Sequence, residues 1–510
     1  MTTFGRPGVY VQENIVQQII TTQDRSDAVG GLIGKLSKGP VEPTLVSSWS
    51  EFTKIFGALD YALPTTVAAY LFFSNGGRDA YVRRVTGTGA ATATVTLNDI
   101  STVPTLTVSA SSPGTWGNDL AVEIKAGNTG RFSLIVYGEP STAGSGAAWE
   151  RSNILEQFSD LSMSPTDPRY VDSIVNTFSA YLTVGAATVG TIPVVDTLTS
   201  LSGGVVGSAP TKAQIAATFT DFDDIATPII FNLPDVAYWA VGQRTDAVAA
   251  YSDLSTYCET RGDAFAIVDI PNGLTAAEAV TFSSDVADAN AGTHAAGYYP
   301  WLTIPDSSRS VPGVTRAAAP GGAVLGQYQA TDTSRGVFKA PAGYNTRLSV
   351  AVGLETKFKN SDLDTLNSAN VPVNAIRVTP GAGIVIMGGR TFSNTSPNRY
   401  INMRRSLIYL KKELNDRSQF AVFENNDERL WNQITSALSN FLNIYWQQGG
   451  LRGATPNQAF YVKCDATTTS QADIVNGRVN IQIGVALEYP AEFIVITIGQ
   501  ITGSASVVQA

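Results

Sequence analysis

The chain has 510 residues, 44% of them hydrophobic, which is a globular composition with room for roughly two to four domains, each burying its own core. Its 34 Lys and Arg against 43 Asp and Glu give a formal charge of −9, which disfavours nucleic acid, since phosphate binding needs concentrated positive charge. Two cysteines, Cys258 and Cys464, exclude a disulfide framework, and the single histidine, His294, excludes a multi-histidine metal site.

Residues 1–27 read as an arm. Gly8-Val9-Tyr10-Val11-Gln12-Glu13-Asn14-Ile15-Val16 has strand-forming residues but too few neighbours to bury them, so it wants a sheet edge elsewhere. Its opening residues lack the apolar core of a signal peptide, and no apolar run reaches about 18 residues, so a soluble cytoplasmic product is expected. Ala28–Gly34 reads as a buried strand, Thr65–Phe73 as a helix behind Pro64, and Ala80–Val85 as a second strand, the alternation of an α/β unit. Composition shifts at Thr86-Gly87-Thr88-Gly89. Residues 90–205 are rich in Thr, Ser, Val and Gly, with alternating runs at Ala121–Lys125 and Phe132–Tyr137, and predict a β-rich insertion.

Pro228–Leu233 and Ala264–Ile270 flank a helix whose Val248, Tyr251, Leu254 and Cys258 share a face, so residues 206–335 predict a second α/β domain with parallel strands. The last third carries two long amphipathic helices. One places Tyr400, Met403, Leu407, Leu410 and Leu414 on one side and Arg404, Arg405, Lys411 and Lys412 on the other. The second starts near Asn425, with Glu428 placed as in a capping box, and repeats Leu430, Trp431, Ile434, Leu438, Phe441, Leu442 and Tyr445, a stripe expected to be core. Charge divides unevenly. Residues 341–510 hold 15 Lys and Arg against 12 Asp and Glu, and residues 1–340 hold 19 against 31, so the basic end could face an acidic protein partner.

Candidate chemistry is thin. Gly30-Gly31-Leu32-Ile33-Gly34-Lys35-Leu36 imitates a phosphate loop, but Val29 stands where that loop needs glycine and Leu36 where it needs a magnesium-binding hydroxyl. Close strand and helix packing is the better use of those glycines. Asp269 ends a strand where doubly wound proteins bind ligands, yet no glycine fingerprint accompanies it, and a capping or ion-pairing role is expected. Arg261-Gly262-Asp263 suits a turn. His294 has no nucleophile elbow to serve, so no catalytic residue, cofactor or metal is assigned.

Five segments in order, Arg6–Glu13, Gly388-Gly389-Arg390-Thr391-Phe392, Tyr400–Arg405, Phe423-Glu424-Asn425-Asn426-Asp427 and Pro490-Ala491-Glu492-Phe493-Ile494, resemble the contractile phage tail sheath family. The resemblance covers roughly residues 5–85 and 340–500, and departs at Met387-Gly388-Gly389, where the family commonly has Trp-Gly-Ala. It implies an α/β (α+β) multidomain chain whose discontinuous core, residues 28–88 plus 340–498, is built from both chain ends, with outer domains at 90–205 and 206–335. Arms at 1–27 and 499–510 would add strands to a neighbour's sheet, making Val9, Tyr10, Val11, Gln12, Glu13, Gly499, Gln500, Ile501 and Thr502 the inter-subunit linkers. The implied partners are further copies of the chain in stacked hexameric rings, a tail tube protein, and baseplate and tail terminator proteins, with no nucleic acid and no membrane insertion. The implied place is the virion tail, after assembly in the host cytoplasm. The charge contrast nominates Arg404, Arg405, Lys411 and Lys412, or the helix Asn426–Tyr445, as the tube-facing surface. Alternatives are a related contractile injection system, an R-type bacteriocin, or an α/β enzyme acting on a small ligand.

Overall fold

In the computed structural model the described residues are 28–492, apart from 129, 139–152, 187–189, 240, 288–291, 310, 312 and 397. The chain opens with β1 (Val29–Gly34), β2 (Thr44–Val46), α1 (Trp49–Phe56), α2 (Pro64–Ser74) and β3 (Ala80–Arg84). Proline at the first position of α2 suits a helix start, where its missing N–H has no partner to lose. β1 and β3 pair in parallel, Gly30 opposite Ala80.

Two sheets then form the insertion. β4 (Thr94–Asn98), β5 (Pro104–Ala110), β6 (Leu120–Ala126), β7 (Arg131–Gly138), β8 (Ile154–Ser162), α3 (Val171–Phe178), β9 (Leu182–Ala186) and β10 (Leu198–Ser200) give one sheet in the order β4-β5-β9 and another in the order β10-β6-β7-β8. They enclose their own core, centred on Leu106, Val122, Phe132 and Leu134. The insertion is clamped to the rest by Arg84. This buried guanidinium donates to the carbonyls of Leu36 (2.9 Å), Gly39 (3.1 Å) and Ser37 (3.2 Å) on one side and of Pro113 (2.6 Å) on the other.

The chain continues through α4 (Lys212–Ala216), β11 (Ile229–Asn232), α5 (Arg244–Arg261), β12 (Ala264–Asp269), α6 (Ala276–Ala287), β13 (Ala295–Tyr299), β14 (Leu302–Pro305), β15 (Thr315–Ala318), α7 (Gly321–Arg335), β16 (Gly353–Leu354), α8 (Asn360–Ser368), β17 (Val373–Thr379) and β18 (Gly383–Ile386). β11, β12, β13 and β17 are parallel, and β1 pairs with β11, so a single eight-stranded sheet runs β18-β17-β13-β12-β11-β1-β3-β2. This corrects the expected division. Strands of 206–335 do not make a second domain but the middle of the sheet that 28–88 and 373–386 flank. Alternation along each strand feeds both faces: Ile33, Phe231 and Val268 meet α5, α6 and α8, while Leu32, Ile230 and Ile267 meet α1, α2 and α7.

The remainder is helical with one hairpin: α9 (Ile401–Ser418), α10 (Glu428–Gln447), α11 (Pro456–Ala459), β19 (Phe460–Lys463), α12 (Gln471–Val475) and β20 (Gln482–Val485). α10 begins two residues later than its sequence pattern suggests, because Asp427, not Asn425, caps it by accepting from Leu430 N–H at 3.0 Å. Its apolar stripe from Leu430 to Tyr445 is buried as expected, against α9 and the β19–β20 hairpin. α9 turns Ile401 and Ile408 into the core of the large sheet and Met403 and Leu410 towards α10, so it ties the two parts together.

Candidate functional site: the sheet crevice and the C-terminal joint

In an open α/β sheet, ligands bind beyond the carboxyl ends of the strands where the winding direction reverses. Here the reversal lies between β1 and β11, and the crevice is filled by the chain's own side chains. The Asp235 carboxylate accepts from Lys35 N–H and from Thr65 Oγ1 (3.3 Å). Gly34 leaves the space, since a Cβ there would stand 2.1 Å from Thr65 Oγ1. Next to it Asp269 accepts from Asn232 Nδ2 at 2.8 Å and from Gly321 N–H at 2.6 Å, capping α7. The false phosphate loop and the strand-end aspartate therefore serve packing and capping.

Burial pushes both carboxyls up to about 6, hydrogen bonds offsetting only part of the desolvation. A folded-state pKa above the unfolded value gives stability that is fully present below about pH 4 and is lost as pH rises through about 6. Asp269→Asn keeps an acceptor for Gly321 and carries no charge. Beyond a constant cost for the altered Asn232 bond, it is expected to gain about 3 kcal/mol on the parent between about pH 4 and about pH 7. Thermal unfolding across that range measures it, and parallel curves for the two proteins would refute it.

The other buried titratable groups are also engaged. His294 is pushed down to about 3 by burial and by the nearby charges of Arg404 and Lys411. Its Nε2 accepts from Arg404 Nε at 3.2 Å, which leaves Nδ1 to donate to Thr293 Oγ1 at 2.9 Å. Cys258 and Cys464 are buried free thiols. Among the described residues no three His, Cys, Asp or Glu side chains group as a metal site.

The Gly388–Phe392 segment forms a joint. Asn374 on β17 grips its main chain from both sides, accepting from Arg390 N–H (2.8 Å) and donating to Arg390 C=O (2.7 Å). Phe392 is buried in the core beside β13. The Arg390 side chain is left to reach out: Nε donates to Glu492 Oε1 at 2.9 Å and Nη1 to the Asn367 carbonyl at 2.7 Å. Two segments about a hundred residues apart are thus clasped by one arginine fork. Asn402 adds a second tie, donating to the carbonyls of Phe338 (3.0 Å) and Glu488 (3.1 Å). Sequence reasoning quoted both segments without connecting them; the one available signal was complementary charge at their centres.

The β19–β20 hairpin lies beyond this joint, Phe460 opposite Val485. Among the described residues neither of its outer edges carries another strand, and Tyr461 on β19 is 58% exposed. A two-stranded sheet is marginal alone and offers edges for further strands.

Residues 393–501 match the family described as the phage tail sheath C-terminal domain. Over those residues the chain is similar to that domain. The rest has the sheath fold as well. The contracted helical sheath of the anti-feeding prophage aligns over 98% of this chain and 100% of its own, at 20% identity and a TM-score of 0.58. The contracted sheath complex of the extracellular contractile injection system PVC aligns over 98% and 99%, at 19% identity and 0.51. The sheath tail protein of Listeria innocua aligns over 90% and 95%, at 13% identity and 0.60. No curated protein matches the chain.

Within this sheath fold the four basic residues expected to face a tube do not form one surface. Arg405 is buried and ion-paired with Asp332 on α7, and Arg404 turns inward to His294. Lys412 pairs with Asp416 one turn on, and Lys411 is exposed. The two arginines face the body of the protein because α9 has apolar or buried residues nearly all round its first three turns. The expected linkers Val9, Tyr10, Val11, Gln12, Glu13, Gly499, Gln500, Ile501 and Thr502 lie outside the described residues.

Proposed function

We propose that the chain is the repeating subunit of a contractile sheath, polymerising helically around a tube and shortening from a metastable extended state to drive that tube through a host envelope. The observation that carries this reading is the sheath fold along 98% of the chain combined with a matched sheath C-terminal domain. The buried titratable groups support it too, being spent on capping, ion pairing and packing in place of an arranged active site. The arms would join subunits by adding strands to the open edges of β19 and β20, where four or five main-chain hydrogen bonds at about 0.5–1.5 kcal/mol each hold without fixing orientation. Burying about 200 Å² more apolar surface per subunit on contraction would release about 5 kcal/mol at ~25 cal/mol/Å². No nucleotide is then needed.

A phage tail sheath and the sheath of a related injection system are both consistent with this role. Full-length alignment to the anti-feeding prophage and PVC sheaths favours keeping the second. A tube protein, baseplate and terminator would be the partners.

Negative-stain electron microscopy of the concentrated protein without nucleotide tests the proposal, alone and mixed with the tube protein. Hollow striated tubules are expected from the full chain, and dispersed folded particles from a variant lacking residues 1–20. Dispersed particles from the full chain even with the tube protein would refute the sheath reading; tubules from the shortened chain would dismiss the arm.

A further inference from the structure

Of the segment Phe423-Glu424-Asn425-Asn426-Asp427, the fold spends the side chains of only the last two residues. Asp427 caps α10, and Asn426 accepts from Trp431 Nε1 at 2.8 Å and donates to the Arg478 carbonyl at 2.8 Å. Phe423 and Glu424 are left over. The Phe423 ring is wholly exposed, and its backbone stands at φ +68°, a left-handed conformation that strains a bulky residue. Phe420 and Val422 beside it are exposed too. Turn bonds from Val422 N–H to Gln419 C=O (3.2 Å) and from Glu424 N–H to Ala421 C=O (3.3 Å) hold this apolar tip in shape. Glu424 has no ion-pair partner among the described residues. Strain kept in order to present a ring to water marks a contact surface.

A groove of about 590 Å³ that suits this tip opens at the carboxyl end of β17. Leu354, Phe358 and Leu363 give it apolar walls. Lys357 and Arg377, both exposed, stand on its lining without a carboxylate partner among the described residues. Thr379, also on the lining, has a buried hydroxyl with no partner among them. The volume lies within the about 300–1,000 Å³ of ligand pockets and is ample for one phenylalanine side chain.

Tip and groove lie at opposite ends of the large sheet. α9 runs across the amino ends of the strands: Arg404 meets His294 just before β13, and Arg405, Ile408 and Tyr409 border a small space with Pro228 and Asp263, which precede β11 and β12. The tip follows α9 on that side, so it cannot fill the groove of its own subunit. A knob and a hole at opposite ends make a heterologous contact, which builds rings or helical filaments and does not close a dimer.

We propose that Phe423 of one copy enters this groove on the next copy, with Glu424 facing Lys357 and Arg377. The contact rests on the reading that copies of this chain polymerise, and adds to the arms a joint between the bodies of the subunits.

The threshold concentration for tubules, read by sedimentation and negative-stain electron microscopy of the full chain, tests it. Phe423→Gly removes the ring and suits the left-handed turn, so its unfolding midpoint should not fall. Its threshold should rise about tenfold, as should that of Glu424→Lys and that of the paired groove variant Lys357→Glu, Arg377→Glu. Combining Glu424→Lys with the groove pair should return the threshold to within about threefold of the parent, because reversing both sides keeps the attraction. No tubules from the parent, alone or with the tube protein, would overturn the sheath reading and this contact with it. Parent tubules at a threshold that Phe423→Gly leaves unchanged, or a combined variant no better than its components, would overturn the contact alone. Weaker binding of the tube protein by the tip variants, with the groove variants assembling normally, would put the tip on the tube and equally refute it.

Discussion

Replacing Arg405 with methionine should destabilise the folded chain by about 3–5 kcal/mol at neutral pH, the range found when one partner of a buried ion pair is removed. Arg405 Nη1 donates to Asp332 Oδ1 at 2.9 Å, and Nη2 to Oδ2, with both side chains almost fully out of water. The guanidinium also lies over the Tyr328 ring, 4.8 Å from its centroid, and Tyr328 shares a 2.7 Å hydroxyl contact with Tyr298 on β13. Methionine fills much of the volume but leaves the Asp332 carboxylate buried and uncompensated. Arg405→Met with Asp332→Leu should recover most of the loss, because removing both charges removes the desolvation cost that the survivor carries. Urea unfolding of the parent, both single variants and the double variant measures the cycle. A cost for Arg405→Met below about 1 kcal/mol would mean that water reaches the pair.

Gly322→Ala is the second large effect expected, although it adds one methyl group. At the start of α7 the helix lies directly on α2, and a Cβ at position 322 would stand 2.2 Å from the Ala68 carbonyl oxygen and 2.6 Å from the Ala68 Cα. A Cβ at Gly326, one turn on, would likewise stand 2.4 Å from the Phe72 carbonyl oxygen. The obstacle is main chain, which has no rotamer to change, so the helices must part and loosen Val67, Phe72, Val324 and Leu325 in the core. Overpacking of this kind costs about 1–3 kcal/mol and occasionally more. A net loss of up to about 2 kcal/mol remains after the ~1 kcal/mol by which alanine is the better helix former. The drop in unfolding midpoint reads it out, and an unchanged midpoint would show that α2 and α7 can separate freely.

The elements themselves were legible because periodicity is local. β1, α2, β3, β11, α5, β12, α9 and α10 follow from runs of apolar residues at spacings of two or of three and four. The arrangement was not. Nothing in Ile229–Asn232 says that its partners are β1 and β12, since a strand buried on both faces displays only its burial, and a boundary placed at 206 cuts a continuous sheet. The basic stripe of α9 failed for a related reason. Helical spacing puts Arg404, Arg405, Lys411 and Lys412 on one broad side of α9, but Asp332 and His294, both distant in sequence, draw the two arginines inward and away from the exposed Lys411. Likewise the order of the Gly388 and Pro490 segments flagged them, while their contact through Arg390 and Glu492 required the third dimension.

The pairing of Val29 with Ile229 has a consequence for how the chain comes into being. At about 5–20 residues per second, β11 leaves the ribosome about 10–40 seconds after β1. In that interval β1 and β3 can pair, and α1 and α2 can cover the face that carries Leu32, Ala80 and Val82. The opposite face, with Ile33 and Val85, has no cover until Phe219, Phe222 and Tyr251 arrive. The insertion, which has a core of its own, can fold during the wait. A nascent half-sheet with one greasy face is therefore the species that a cell making this protein must keep from sticking to its neighbours.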